Sequence, residues 1–147
     1  MDSLVIGILA GLAAIVIAVI ARVANKPDRP AAERSLALKI LNVVAVIAAL
    51  HISIAVCVWA IWELGTAVMG LGLLDEAPAT WVFWTACGVA DLVSAASLML
   101  LGVLTIVVGA VGAERRARWG RFHSAFTLVP VVAGLFQIAL STVLFLV

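Results

Sequence analysis

Three polar side chains stand inside long apolar runs of this chain: His51, Asp91 and Gln137. A carboxyl group can hold a proton or a cation, an imidazole titrates near neutrality, and a carboxamide donates and accepts hydrogen bonds at once. Their neighbours are small. His51 falls between Ala48 and Ala55, and Gln137 belongs to the series Ser124, Thr127, Pro130, Gly134, Gln137 and Ser141. Asp91 follows Gly88 by three, and Gly88, Ala95, Gly102 and Gly109 recur every seven residues. Small residues at such spacings mark helix faces that approach closely. His51, Asp91 and Gln137 are therefore expected on inner faces, as one candidate polar site. That site has a structural reading, hydrogen bonds that fix helix register, and a functional one, since an ionisable group inside an apolar span is costly unless paired.

Depth decides whether the three can meet. Counted from the basic ends of their runs, His51 lies about 18 Å beyond Lys39 and Gln137 about 24 Å beyond Arg121. Asp91 is about 34 Å from Glu114 but only about 15 Å from Trp81. An outer-half position for Asp91 follows, and its contact with His51 or Gln137 stays open.

Other chemistry finds little support. Cys57 and Cys87 form no CxxC or zinc spacing and read as small packing residues, although both lie about 9 Å inward from Glu63 and Trp81. Two-histidine haem ligation needs both rings at one depth, and His123 sits only about 3 Å inside its boundary against about 18 Å for His51. The serines have no adjacent base and acid. No metal site, no cofactor and no catalytic set are expected.

The elements that carry these residues are four apolar stretches, residues 4–21, 40–62, 81–113 and 122–147. Hydrophobic residues make up 66% of the 147-residue chain and charged ones 12%, against roughly a quarter charged in soluble domains. Each stretch reaches the roughly 20 residues of a membrane span, without barrel-like alternation. The expected fold is an all-α membrane protein: four transmembrane helices, about 4–23, 36–64, 80–113 and 121–146, in one up-down bundle. Helix three is over-long, about 50 Å against a hydrocarbon core of about 30 Å, so it tilts, projects or breaks, with Gly88 a candidate break.

The nine Lys and Arg residues fall into two clusters. Residues 22–39 hold Arg22, Lys26, Arg29, Arg34 and Lys39 against Asp28 and Glu33, and residues 114–121 hold Arg115, Arg116, Arg118 and Arg121 against Glu114. The opposite side has Asp2, Glu63, Asp75 and Glu76 and no side-chain cation. The positive-inside rule then places both basic segments in the cytoplasm and both termini outside. Arg115, Arg116, Arg118 and Arg121 are read as lipid-facing cations at the cytoplasmic surface, worth about 1 kcal/mol each against anionic headgroups. Pro27 and Pro30 end the first helix, Gly120 is the expected pivot of a tight second link, and Pro130 an expected kink. Residues 64–80 read as an apolar outer loop bracketed by Trp59, Trp62, Trp81 and Trp84. Met1, Asp2 and Ser3 lack the basic start of a cleaved signal, so an uncleaved first helix is expected. Seven Arg to two Lys, with abundant Ala and Val, suggest a GC-rich bacterial genome, hence the bacterial inner membrane.

Gly7 and Gly11, with Ala14, Ala18 and Ala21, give the first helix a packing stripe; Gly88, Ala95, Gly102 and Gly109 do the same for the third. Spare packing faces and the absence of a catalytic set point to a small non-enzymatic subunit or accessory component of a larger membrane complex. Its expected partners are membrane lipids and other membrane subunits or a homo-oligomer; nucleic acid is not among them. Two alternatives are a small oligomeric transporter or channel using an Asp91/His51 pair, and a lipid- or quinone-binding module beside Gln137 and Pro130.

Overall fold

The protein, seen in a computed structural model, is described over residues 2–26, 35–73 and 78–146. Residues 27–34 and 74–77 lie outside this set, and with them the expectations placed on Pro27, Pro30, Asp75 and Glu76. The described residues form five helices and no strand: α1 Asp2–Ala24, α2 Leu36–Leu73, α3 Pro78–Ala110, α4 Ala113–Phe126 and α5 Leu128–Leu146. Four stretches are long and apolar enough to cross a membrane: Leu4–Ala24, Leu36–Met69, Val82–Ala110 and Glu114–Leu144.

Local chemistry sets the boundaries. Ser35 caps α2, its Oγ accepting from the Leu38 N–H at 3.3 Å, which satisfies one of the first-turn donors that a helix leaves unpaired. Past residue 64 the chain stays apolar and has no proline before Pro78, and α2 continues to Leu73. The expected outer loop is therefore mostly helix. α3 keeps its expected length of 33 residues without a break. Gly88 does not interrupt it; a Cβ there would come within 2.7 Å of the Leu64 side chain.

The second link also differs. The chain turns at Val111 and Gly112, and the basic segment is already helical within α4. Gly120 is a buried helical residue and not a pivot. The helix is interrupted at Thr127, between α4 and α5. Pro130 explains the place: it has no N–H for the Phe126 carbonyl, and its ring crowds that carbonyl. Pro130 thus stands in the first turn of α5, where the missing donor is harmless.

The four spans form a ring. α2 packs on α1 and α3, α5 packs on α3 and α1, and α1 touches α3 across the middle. Neighbours run antiparallel: Gly88 and Gly102 of α3 face Ala60 and Ala49 of α2, while Gly11 of α1 faces Gly134 of α5. The core is thin and built from small residues. Ala10, Val56 and Ala95 form one layer, Ala14, Ile17, Ala49 and Leu98 the next, and Ala18, Ala21 and Leu101 a third. α3 is the central helix, with 50% of its span buried against 28% for α2.

Gly11 and Gly134 mark the tightest crossing. A Cβ built on Gly11 would lie 2.7 Å from the Gly134 carbonyl oxygen, and one on Gly134 would lie 2.6 Å from that of Gly11. Backbone cannot give way as a flexible side chain can. Gly7 is buried against Ser141, and Ala95 and Gly102 lie in the α2–α3 contact. Gly109 departs from the seven-residue series; it is exposed, with open space where its Cβ would be. Gly11→Leu or Gly134→Leu should therefore cost about 1–3 kcal/mol through overpacking, whereas Gly109→Ala should be neutral or stabilising by up to about 1 kcal/mol. Thermal unfolding of the detergent-solubilised protein, followed by circular dichroism, separates the two groups.

Candidate functional site

The inner stripe of α2 runs Ala45, Ala49, Ser53, Val56, Ala60, Glu63 and Ala67, all buried. Steps of three and four hold these residues on one helix face. His51 is two residues from Ala49, about 200° round the helix, and it is exposed. Its Nδ1 pairs at 2.8 Å with the carbonyl of Ile47 on its own helix. His51 therefore does not join Asp91 and Gln137. Ala55, whose small size suggested an inner face there, is exposed as well, and Ala48 is half-buried.

What α2 brings to the centre is Glu63, fully buried at 0% exposure. Trp59, one turn earlier, donates its indole N–H to Glu63 Oε1 at 3.0 Å. From α3 comes Asp91, 2% exposed, and from α5 Gln137, 1% exposed. The Gln137 amide nitrogen donates to Asp91 Oδ1. The Glu63 and Asp91 carboxyls are close enough to interact. Three helices thus meet through two carboxyls and one carboxamide.

Helix phase accounts for this meeting. Asp91, Ser94, Leu98, Leu101 and Thr105 lie along the buried side of α3, and Thr127, Pro130, Gly134, Gln137 and Ser141 along that of α5. Asp91 is one turn beyond Ala95, which places the cluster just past the Ala10–Val56–Ala95 layer. It is not at the helix ends: α2 continues about 15 Å past Glu63, and α3 begins about 20 Å before Asp91.

Two buried polar atoms beside the carboxyls have no hydrogen-bond partner: Gln137 Oε1 and Ser94 Oγ. Cys87, one turn from Asp91, is buried as a free thiol, and Cys57 is a half-buried free thiol. Among the described residues no group of three or more His, Cys, Asp and Glu side chains is arranged to hold a metal ion.

A second polar contact joins α3 to α4. His123, expected near the edge, is fully buried, and its Nε2 lies 2.8 Å from Thr105 Oγ1. That hydroxyl gives its single proton to the Leu101 carbonyl at 2.7 Å, so the imidazole must donate from Nε2. At the same end Asn25 Nδ2 donates to Asn42 Oδ1 at 2.6 Å, tying α1 to α2. Arg115, Arg118 and Arg121 are exposed on α4. Arg116 is half-buried and reaches back to the Val111 carbonyl at 3.4 Å, so it is not a free surface cation like the others.

An apolar groove of about 480 Å³ lies outside the cluster, between α3 and α5, lined by Val93, Leu128, Val129, Val132, Ala133 and Phe136. Gln137 and Pro130 face inward and do not line it. No protein-family model, known protein or solved structure matches the chain.

Glu63 was missed in the sequence because it ends an apolar run beside two tryptophans, where acids ordinarily mark a boundary. The stripe Ala45, Ala49, Ser53, Val56, Ala60 is the signal that points to it. Gln137→Leu should destabilise the protein by about 1–3 kcal/mol by removing the donor to a buried carboxyl. His51→Leu, which touches only its own helix, should shift monomer stability by no more than about 0.5 kcal/mol. Urea or thermal unfolding of the two variants in detergent tests this assignment of inner and outer residues.

Proposed function

We propose that the protein is a non-enzymatic integral membrane subunit whose α2 docks against another membrane helix. The observation that carries this reading is the outward position of His51 halfway along α2. Around it on the exposed side stand Val44, Ile47, Ile54 and Val58. With Nδ1 occupied by the Ile47 carbonyl, the second ring nitrogen faces outward. Hydrocarbon offers it nothing, and an unpaired polar group there costs several kcal/mol. A helix from another subunit, carrying a hydroxyl, amide or carboxyl donor, removes that cost. Across the rest of the outer surface, large apolar side chains such as Leu9, Val16, Leu100 and Phe136 stand exposed, as a lipid contact requires.

In this reading the four spans lie in the inner membrane of a bacterium. The exposed arginines of α4 and the basic segment after α1 face the cytoplasm, and both termini lie outside. Trp59, Trp62 and Trp84 form a contiguous aromatic group near the opposite end, with Trp62 and Trp84 edge-to-face at 5.8 Å. Tryptophans of this kind settle at the headgroup level.

A second reading, as a small oligomeric transporter or channel, is favoured by the carboxyl pair at the centre of the bundle. Its ionisable partners would be Glu63 and Asp91 and not an Asp91/His51 pair. Buried acids inside a span are the usual marks of an ion or proton path.

The docking reading is tested by native mass spectrometry of the protein extracted in lipid nanodiscs. A complex larger than one chain is expected, dissociating in His51→Leu; a strictly monomeric wild type would refute it. For topology, a single cysteine placed at Arg118 in a Cys57→Ala/Cys87→Ala background should react with a membrane-impermeant maleimide only after the cells are opened.

A further inference from the structure

The apolar groove between α3 and α5 and the basic face of α4 lie on one line. α4 and α5 follow a nearly continuous helical path: Thr127, where they meet, has right-handed helical backbone angles, and its N–H still bonds the His123 carbonyl at 3.0 Å. Residue phase therefore carries from one helix into the other. Arg118, Arg121, Ala125, Leu128, Val132 and Phe136 follow one another at steps of three or four, which holds them on one face, and all of them are exposed. That face begins with two cations and continues as hydrocarbon. Leu128, Val132 and Phe136 are also walls of the groove of about 480 Å³. Beside the cations the surface forms a second hollow, of about 470 Å³, lined by Glu114, Arg115, Arg118 and Trp119.

Depth and chemistry narrow what fits there. Measured along the helix from Arg121, Leu128 is about 10 Å away and Phe136 about 22 Å. Half a bilayer, headgroups included, is about 20–22 Å thick. With the arginines at the headgroups, the groove therefore covers the acyl depth of one leaflet. Val93 of α3 stands at its inner end: the Asp91–Gln137 and Thr105–His123 contacts set the register of α3 on this chain segment and bring Val93 level with Leu135 and Phe136. Every described lining side chain is hydrocarbon. The groove thus lacks the placed polar groups that orient a quinone ring or similar cofactor, and a fatty chain needs none. Arg118 and Arg121, one turn apart, carry the forked donors that suit phosphate oxygens. Side chains on a helix lean toward its N-terminus, which here takes both guanidinium groups away from the hydrocarbon. Exposed Arg115, Arg118 and Arg121 outnumber exposed Glu114, and that excess favours a headgroup with net negative charge over a zwitterionic one.

We propose that this face binds one anionic phospholipid of the phosphatidylglycerol type. Its phosphate lies against Arg118 and Arg121, and one acyl chain fills the groove along Leu128, Val132 and Phe136 as far as Val93. Basic pockets beside membrane helices are recurrent headgroup sites; the groove adds a seat between two helices for the tail of the same molecule. The proposal rests on the four spans lying in a membrane. It depends neither on the docking of α2, which contributes no described residue to the groove, nor on which side of the membrane α4 faces.

The test is native mass spectrometry of the full chain released from nanodiscs of equal parts phosphatidylcholine and phosphatidylglycerol with matched acyl chains. Wild type and His51→Leu are compared, so that lipid is counted per chain whatever becomes of the docking. One retained phosphatidylglycerol per chain is expected, with far less phosphatidylcholine. Arg118→Gln and Arg121→Gln should each lower its retention by about fivefold. Val132→Trp, at an exposed position, fills the groove without entering the core and should lower retention as well. Lys39→Gln, which removes an exposed cation on α2, should leave it unchanged. Equal retention of the two lipids would overturn the proposal, and so would a groove filled by a second copy or another protein's helix with no lipid retained. A phosphatidylglycerol signal that falls with the arginines but survives Val132→Trp would overturn it too, by reducing the site to headgroup attraction alone. A chain that stays dissolved in buffer without lipid or detergent would remove the membrane reading, and this proposal with it.

Discussion

Two carboxyl groups share the interior of an apolar helical bundle, and every described lysine and arginine lies toward its other end. Charge buried this way is among the most expensive features a fold can contain, several kcal/mol per uncompensated ion even after relaxation. The surrounding groups answer that cost. Trp59 donates to Glu63, and Gln137 donates to Asp91. Because these groups come from α2, α3 and α5, the same contacts fix the relative rotation of three helices. A bundle cored mainly by alanine has little shape to specify register, so a polar meeting point of this kind is a strong constraint on which faces turn inward.

The remaining architecture lets those helices come close enough. Gly11 and Gly134 bring the backbones of α1 and α5 into contact, and Gly88 and Gly102 admit the Leu64 and Leu50 side chains of α2. With α1 and α5 closed on one side and α2 and α3 on the other, the cluster is sealed from the surface. The outward side of α2 is different. It presents branched apolar residues and one histidine, a combination that serves contact with lipid and with another helix better than it serves an interior. The same helix thus carries an inward polar residue, Glu63, and an outward one, His51.

Much of the fold could be read from composition and spacing. Four apolar stretches of sufficient length, the packing stripes of α1 and α5, and the inward face of Asp91 and Gln137 all follow from periodicity. What failed was local phase. His51 was placed inward by flanking alanines at 48 and 55, but the continuous stripe from Ala45 to Ala67 passes on another side. Small residues near a polar one do not define a face unless the spacing extends over several turns. Glu63 was hidden because residues 64–73 look like a glycine-rich loop, and an acid before a loop reads as an end. The continuation of α2 turns that end into an interior. Gly120 was misjudged for a related reason, since glycine near arginines resembles a turn, whereas here it is a buried residue inside α4 and the turn falls at Val111 and Gly112.

The central claim is that Glu63 and Asp91 lie together inside the bundle, where two neighbouring buried carboxyls cannot both ionise and at least one keeps its proton. Infrared difference spectroscopy of the protein in lipid at neutral pH addresses it directly, because a protonated carboxyl has a carbonyl band well separated from that of a carboxylate. The band should be present in the wild type and disappear in the Glu63→Gln/Asp91→Asn double variant. A wild-type spectrum showing only ionised carboxylates at neutral pH would contradict the account.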